Sequence, residues 1–346
     1  MTNVGIGLVG AGRIAQAAHL PALAKAEGTE LVALCDPSEV LSHEVARRYD
    51  VTGYRELDEL LEHDGVEAVI LAVPDRLHLP LGRQVLEAGR HLLVEKPLAG
   101  TVAEAEELAA IAAASTGRLQ VGSMKRYDPG IEAAAEAVRS RIGSIFTASI
   151  WYRVHSALRS DIEATYANAP VVDEAVRTHE STFKADRPAY LLLTHGAHVF
   201  DELRFLLGDP VALSARQAQA GDDVTWHVVA ELASGGLAHV EISAAVHAEW
   251  SEGADIYGDR GHVRLRTHVP FALRPSDVEI FEETTAMATR PVLGDSDPYE
   301  RQLEAFVRAI RDDVPTSPDA TDGVAVMRII AAVGESVARD GARVAL

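Results

Sequence analysis

Cysteine is almost absent from this chain of 346 residues, in which Cys35 is the only one. A disulfide within the chain is therefore impossible, and a cysteine-based zinc site is excluded as well. Long hydrophobic runs are also missing: the apolar stretch 68–73 has the length of a core strand, whereas a membrane-spanning helix needs about 20 apolar residues. The N-terminus lacks the basic start and apolar run of a secretory signal. These absences predict a cytoplasmic protein that does not enter the membrane.

Basic residues are scarce relative to acidic ones. Lysine and arginine number 32 against 52 aspartates and glutamates, which gives a net charge of −20. Such a chain lacks the positive charge needed to bind a phosphate backbone, so nucleic acid is excluded as a bulk partner. The 47% hydrophobic and 24% charged residues are typical of a folded globular protein. At roughly 150 residues per domain, the length predicts two domains.

The first third of the chain alternates between predicted strands and helices. Continuous apolar runs at 4–9, 30–34, 67–73, 91–94 and 119–121 suit strands that are covered on both faces. A helical pattern fills 79–88, and another follows the predicted N-cap Thr101, with Glu104 as its capping-box partner. This rhythm predicts an α/β domain with a doubly wound parallel sheet over residues 1–123.

The pattern changes after residue 123, where the predicted strands are longer. Strand 145–154 is followed by one hairpin, 224–232 with 237–243, and by a second, 254–257 with 262–266. Helices are predicted at 299–311 and 322–338. Residues 124–346 are therefore expected to form an α+β domain with a mostly antiparallel open sheet, for substrate binding and oligomerisation. The irregular stretch 156–187 is interpreted as either a lid or a surface excursion.

Two overlapping glycine patterns lie near the start of the chain. Gly5-x-Gly7-x-x-Gly10 would place two glycines inside the first strand, whereas Gly10-x-Gly12-x-x-Ala15 falls at the strand-to-helix turn. The second suits a dinucleotide site, because its positions serve the tight turn, the close approach to a pyrophosphate and the packing of helix on strand. Free amides at the helix start would then bind the phosphates. A turn without a ligand is the alternative interpretation.

An acidic residue stands where such a site needs one. Asp36 ends the second predicted strand, 24 residues after Gly12, about where a ribose-binding carboxylate is expected. A carboxylate accepts a hydrogen bond from the ribose 2′-hydroxyl and repels a 2′-phosphate, so Asp36 favours NAD. NADP stays open as an alternative, because Ser38, Arg47 and Arg48 are close enough in sequence to bind a phosphate.

Five segments together resemble one enzyme family. They are 10–15, 73–78, the tripeptide 95–97 (Glu-Lys-Pro), 124–129 and 191–207. In order and spacing they are similar to the glucose–fructose oxidoreductase, inositol dehydrogenase and rhizopine-catabolism family (Gfo/Idh/MocA), and the resemblance spans nearly the whole chain. It implies a Rossmann domain followed by an open-sheet domain. It also implies an NAD(P)-dependent oxidoreductase that transfers hydride reversibly at a secondary alcohol of a sugar, glycoside or cyclitol.

The resemblance also implies roles for individual residues. Lys96 matches the family's active-site lysine, close to the nicotinamide and the reacting hydroxyl. His198 matches the histidine that serves as general acid and base in cyclitol dehydrogenases, and we expect both side chains to contact the reacting oxygen. The expected cofactor-binding residues are Gly10, Gly12, Arg13, Ile14, Asp36, Val73, Pro74, His78, Glu95 and Lys96.

Further polar residues are candidates for the sugar pocket, since sugars are bound by hydrogen-bonding side chains. These candidates are Arg126, Tyr152, His155, Lys184, Thr194 and His195. Thr194 marks a departure, because the family pattern often has aspartate four residues before the histidine. Threonine cannot stabilise an imidazolium by charge, so the Asp–His relay of inositol dehydrogenases does not carry over intact. The departure argues against a myo-inositol dehydrogenase in the strict sense and predicts a differently substituted sugar or glycoside as substrate.

Other functions remain open at this stage. An NAD-dependent enzyme without net redox change could process glycosides by transient oxidation, and a nucleotide-sensing regulatory protein could use the same fold. His195, His198 and Asp201 have helical spacing, but the family chemistry needs no metal and we expect none. The partners expected are a small sugar or cyclitol, and a further copy of the chain in a homodimer or homotetramer.

Overall fold

The computed structural model describes residues 3–156, 158, 160, 162, 169–176, 178 and 186–346. The chain divides into two compact units. The first comprises Met1–Ser123, Ile162–Asp186 and Tyr299–Met327, and the second comprises Met124–Asp161, Arg187–Pro298 and Arg328–Leu346. The predicted division at residue 123 assigns residues 299–327 to the second domain. In the structure they group with the first unit, because they pack there. For example, the Val121 amide donates to the Pro318 carbonyl at 2.9 Å.

Six parallel strands form the sheet of the first unit. They are β1 (Val4–Val9), β2 (Thr29–Cys35), β3 (Thr52–Tyr54), β4 (Ala68–Leu71), β5 (His91–Glu95) and β6 (Leu119–Gly122). Their order is β3-β2-β1-β4-β5-β6. The central strands are buried throughout, as their continuous apolar runs predict. The order reverses between β1 and β4, and ligands of such sheets bind at the carboxyl ends of the strands beside that point.

Helices flank this sheet. After a π-helical turn at Ala15–His19 come α1 (Leu20–Leu23), α2 (Glu39–Tyr49), α3 (Leu57–Leu61), α4 (His78–Glu87) and α5 (Val102–Ala114). Side-chain oxygens cap two of them: Ser38 accepts from the Leu41 amide, and Thr101 accepts from the Glu104 amide. The predicted helix start at Thr101 is thus confirmed. The short elements β3 and α3 were not predicted, because neither is long enough to show a period.

The second unit contains a nine-stranded mixed sheet. Its strands are β7 (Ile145–His155), β8 (Pro210–Ala220), β9 (Asp223–Leu232), β10 (Leu237–Val246), β11 (Ser251–Gly258), β12 (Gly261–Thr267), β13 (Asp277–Glu282), β14 (Met287–Thr289) and β15 (Val344–Ala345). The order is β14-β13-β12-β11-β7-β10-β9-β8-β15. Among these described strands, β7 and β10 pair in parallel and the other neighbours pair antiparallel. Both predicted hairpins are present as β9–β10 and β11–β12, which confirms the predicted mostly antiparallel sheet.

Four longer helices follow among the described residues: α6 (Pro129–Ser140), α7 (Arg187–Leu207), α8 (Pro298–Arg311) and α9 (Ala320–Ala338). In the second unit, side chains at every second position of β7 are buried on one face of the strand, among them Ala148, Ile150 and Tyr152. Helix α7 contacts β7 and β10 on the sheet, which places its histidines over the buried face of β7. Across the described residues, every helix is too short or too polar to cross a bilayer.

Candidate active site

The turn after β1 has the geometry that a dinucleotide needs. Gly10 has a φ of 89°, and a Cβ there would lie 2.5 Å from the Ala72 carbonyl oxygen, so only glycine suits the turn. A Cβ at Gly12, in contrast, would point into open space with no atom within 4 Å. Beside these glycines, Arg13 is exposed and Ile14 half-buried. An uncovered glycine after β1 fits the close approach of a pyrophosphate.

Asp36 lies beside this turn, at the carboxyl end of β2. Its Oδ2 accepts from the Ala11 amide and its Oδ1 from the Ser38 amide, each at 2.9 Å. Burial raises the pKa of this carboxyl group, against the lowering effect of those two amides, and the charge of Asp173 raises the pKa further. The carboxylate therefore connects the glycine turn to the start of α2, which is where a ribose-binding group belongs.

His78 ties together the two turns that follow β4 and β5. Its Nδ1 lies 2.8 Å from the Pro97 carbonyl oxygen and its Nε2 lies 3.0 Å from that of Val73. Burial lowers the pKa of His78, although both carbonyls favour the proton. A neutral ring donates to one carbonyl at a time. His78 is buried and Val73 and Pro74 are half-buried, so the side chain of His78 holds the turn while Val73 and Pro74 line it.

Glu95 is the last residue of β5, Lys96 follows it directly, and the Lys96–Pro97 peptide bond is cis. Glu95 is buried, its Oε1 lies 2.8 Å from His19 Nε2, and its Oε2 accepts from the Lys96 amide at 3.1 Å. Burial alone would raise the pKa of Glu95, but the hydrogen bond from His19 and the charges of His19, Lys96 and His78 outweigh it and hold the pKa below its ordinary value. Glu95 thereby positions the backbone of half-buried Lys96.

His19 is a positioning residue that sequence reasoning missed. Its side chain is fully buried, and its ring lies edge-on to Tyr299 at 5.4 Å between centroids. Its contact with Glu95 joins residues 76 positions apart, which no local pattern could reveal.

In the second unit, Tyr152 of β7 supports two histidines of α7. The ring centroid of Tyr152 lies 6.2 Å from that of His198, nearly parallel at 25°, and 5.6 Å from that of His195. Tyr152 is buried, whereas His195, His198 and Thr194 are half-buried. Burial, with the charge of Glu202, raises the pKa of the Tyr152 phenol far above its usual range. Tyr152 is therefore a platform for the histidines that stays protonated at neutral pH.

Arg126 is held beside this platform by α7. Its Nε and Nη2 donate to the two carboxylate oxygens of Asp201 at 2.9 and 2.7 Å. Both side chains are nearly buried, so the paired geometry restricts the guanidinium to one orientation. Asp201, which has helical spacing with His195 and His198, is the partner of Arg126. Within the described part of the chain, no cluster of metal-ligating residues occurs.

Trp250 completes the aromatic part of this unit and was not predicted. Its ring meets Tyr152 edge-on at 5.4 Å and His155 at 6.4 Å. An aromatic ring beside imidazoles suits the apolar C–H faces and hydroxyl groups of a sugar. The predicted pocket residues Arg126, Tyr152, His155, Thr194 and His195 thus lie in the second unit, while Lys184 falls outside the described residues.

A buried charged cluster lies behind Tyr152, formed by Lys125, Glu202 and Glu252. The Lys125 ammonium is 3.4 Å from Glu202 Oε2, contacts Glu252 Oε1, and stands 4.5 Å from the centre of the Tyr152 ring. All three side chains are at most 6% exposed. Glu202 Oε1 and Glu252 Oε2 have no hydrogen-bond partner among the described residues. One cation therefore faces two carboxylates, and burial raises the pKa of Glu202 in spite of the nearby Lys125 charge.

Comparison with known proteins identifies the family. Residues 4–123 match the model of the "oxidoreductase family, NAD-binding Rossmann fold", and residues 133–264 match the "GFO/IDH/MocA C-terminal domain". An inositol 2-dehydrogenase of Rhizobium meliloti (strain 1021) is 27% identical, with 97% of each chain covered. A D-xylose 1-dehydrogenase (NADP(+)) of Haloferax volcanii is also 27% identical, over 98% of this chain and 99% of the relative.

A solved structure is similar over the whole length. Levoglucosan dehydrogenase in complex with NADH and L-sorbose superposes with a TM-score of 0.81 at 19% identity, covering 100% of this chain and 99% of that one. At this identity the likeness supports the fold. Together with the two family matches and the glycine turn, it leads to one assignment: the chain belongs to the Gfo/Idh/MocA family and is an NAD-binding oxidoreductase.

Proposed function

We propose that this oxidoreductase is a dehydrogenase that transfers hydride between NAD and a secondary alcohol of a sugar, glycoside or cyclitol. One observation carries the proposal: two imidazoles, His195 and His198, lie against the ring of buried Tyr152, with Trp250 edge-on to the same ring. Such a surface offers hydrogen bonds and an aromatic face, which suit a polyhydroxylated ring. The named relatives, an inositol and a xylose dehydrogenase, act on substrates of this class.

On the cofactor side, each residue has a distinct task. The Gly10–Gly12 turn would receive the pyrophosphate, Asp36 the adenosine ribose, and the turns at Val73–Pro74 and Lys96–Pro97 the nicotinamide half. His78 and Glu95 hold these turns from beneath through their contacts with Pro97, Val73 and the Lys96 amide. When bound, the nicotinamide supplies the acceptor for the hydride.

The proton of the alcohol requires a separate acceptor. Oxidation breaks the carbinol C–H bond, whose electron pair leaves as hydride, and the O–H bond, whose proton goes to a base. We assign proton transfer to His198 and polarisation of the substrate oxygen to Lys96, the roles that the family resemblance implies. Thr194, four residues before His198, offers a hydroxyl in place of a carboxylate. Tyr152 stacks on the His198 ring and keeps it oriented, a task that the carboxylate has in the usual family pattern.

The first experiment follows the absorbance of reduced nicotinamide with purified protein, NAD or NADP, and a panel of cyclitols, free sugars, glycosides and keto sugars. A signal confined to one of these classes is the expected result. A silent panel from a protein that retains tightly bound nucleotide and converts glycosides would replace the proposal with an enzyme of no net redox change. A silent panel with nucleotide binding alone would replace it with a sensor.

Substitution of Asp36 tests the ribose assignment. Asp36→Ala is expected to weaken NADH binding by about tenfold, the scale of one hydrogen bond to a charged group, and to weaken NADPH binding less, because the carboxylate also repels a 2′-phosphate. Isothermal titration calorimetry measures both dissociation constants. The carboxylate also accepts from the Ala11 and Ser38 amides, so Asp36→Asn serves as the control that keeps an acceptor. Equal losses for both cofactors would mean that the ribose is bound elsewhere.

We also propose self-association through the open face of the second sheet. Val229 and Leu237 are 44% and 50% exposed there, on neighbouring strands β9 and β10. Burial of such side chains against a second copy would stabilise a dimer or tetramer. Light scattering on Val229→Lys should give a smaller particle than the unmodified chain, and an unchanged mass would contradict the proposal for this face.

A further inference from the structure

A segment from far along the chain, without assigned helix or strand, lies on the Rossmann unit. We call residues 169–173 the 169–173 segment. The side-chain amide of Gln16 exchanges two hydrogen bonds of 2.9 Å with the backbone of Val171. Arg48 donates to the Ala169 carbonyl at 2.8 Å, and the Ser38 hydroxyl donates to Asp173 Oδ2 at 2.7 Å. The three contacts fall on alternate residues, as expected when one side of an extended chain faces its support.

Some of the side chains that hold this segment are the ones that would bind the 2′-phosphate of NADP. A 2′-phosphate binds to hydroxyls and arginines that follow the second strand of a Rossmann sheet. Here the candidates are Ser38, Arg47 and Arg48. The Ser38 hydroxyl donates to Asp173 and Arg48 donates to Ala169, while Arg47 pairs with Glu44 at 2.8 Å. The segment therefore engages two of the three.

Asp173 also brings a second negative charge to the ribose corner. Ser38 joins the two carboxylates, since its amide donates to Asp36 Oδ1 at 2.9 Å and its hydroxyl to Asp173 Oδ2. Asp173 accepts in addition from the Ala175 amide at 2.9 Å. These hydrogen bonds, that of Ser38 first, lower the pKa of Asp173 and keep it ionised at neutral pH. A 2′-phosphate at this corner would face two carboxylates, whereas a 2′-hydroxyl would not be repelled.

We propose that Asp173 is a specificity-determining residue that, together with Asp36, restricts this oxidoreductase to a dinucleotide without a 2′-phosphate. The single donor of the Ser38 hydroxyl is used by Asp173, while its oxygen accepts from the Leu41 amide at 3.2 Å, so no donor is left for a phosphate. Asp36 rejects the phosphate by its own charge. Asp173 adds a second negative charge and occupies the Ser38 hydroxyl, which a 2′-phosphate would otherwise bind. It does so although Asp173 and Ser38 are 135 residues apart in the sequence.

The test compares Asp173→Asn with Glu174→Gln. The two changes remove the same charge from neighbouring residues, but Glu174 is exposed and the Ser38 contact belongs to Asp173. Dissociation constants for NADH and NADPH are measured calorimetrically at low and high salt. Asp173→Asn is expected to tighten NADPH binding by about tenfold at low salt and less at high salt, as screening of a nearby charge requires. NADH binding should change by no more than about twofold, and Glu174→Gln should leave both constants within the same margin.

A second variant strengthens the test. Asp173→Arg places a cation where the carboxylate was, and should raise the preference for NADPH beyond that of Asp173→Asn. Three results would overturn the proposal: unchanged NADPH binding in both Asp173 variants, an equal gain for NADH and NADPH, or the same gain in Glu174→Gln. The second would show that the segment competes with any dinucleotide, and the third that only the overall charge matters.

Discussion

Lys96→Ala is expected to lower kcat by about a hundredfold or more while leaving the dissociation constant of NADH nearly unchanged. The loss is the usual scale for a group that assists proton transfer at the reacting atom. Binding should persist, because the lysine backbone, which alanine retains, receives the support of Glu95 through the Lys96 amide. Stopped-flow measurement of reduced nicotinamide, with the substrate found in the panel, gives kcat and KM separately.

Lys25→Ala is the matched control for this experiment. It also removes one lysine of the Rossmann unit, but Lys25 is exposed after α1. Its kcat should equal that of the unmodified enzyme. A Lys96→Ala variant with full kcat would remove Lys96 from the mechanism. A variant that loses NADH binding in parallel with kcat would instead make Lys96 a cofactor-binding residue only.

The Rossmann unit could be predicted from the sequence because its information is local. Continuous apolar runs, glycines at the end of β1 and a cap at Thr101 each lie within a few residues of the feature that they determine. The same holds for the two hairpins of the second sheet, whose turns lie between the paired strands. Strand β15, with two residues, has no period to detect and was missed.

The supporting contacts of the site could not be predicted, since they join distant parts of the chain. His19 meets Glu95, and Ser38 meets Asp173 across 135 positions. In the second unit, the sequence places Lys125 next to Arg126, yet nothing local shows that Lys125 faces Glu202 and Glu252 while Arg126 faces Asp201. Residue type indicates the chemistry of these groups, but only the packing of strands and helices decides which charges are paired.

A large loss of stability is expected when the cluster of Lys125, Glu202 and Glu252 loses its cation. Lys125→Met should reduce the free energy of unfolding by about 3–5 kcal/mol, because it leaves two buried carboxylates without a cation. The Lys125 ammonium also lies over the Tyr152 ring, so part of the loss comes from that contact. Urea denaturation followed by tryptophan fluorescence measures the change.

Glu202→Gln is the matched variant, and its effect should have the opposite sign. It removes one of two carboxylates that compete for one ammonium, so it should increase the free energy of unfolding at neutral pH. Burial raises the pKa of Glu202 above its ordinary value of 4.5. The folded state therefore binds the proton more tightly than the unfolded state, and the unmodified chain loses stability as pH rises from that value through the raised one. The advantage of Glu202→Gln should accordingly grow as pH rises above 4.5 and level off once pH exceeds the raised pKa.

The triple variant Lys125→Met/Glu202→Gln/Glu252→Gln separates charge from packing. If uncompensated charge causes the loss in Lys125→Met, neutralising both partners should recover most of it, as for other buried ion clusters replaced as a whole. A triple variant as unstable as Lys125→Met would show that the lysine acts through packing against Tyr152. Because Tyr152 supports His195 and His198, kcat of the triple variant then tells whether the cluster only stabilises this unit or also orients the imidazoles. If stability recovers but kcat stays low, the charges of the cluster help to orient His198, the proposed base.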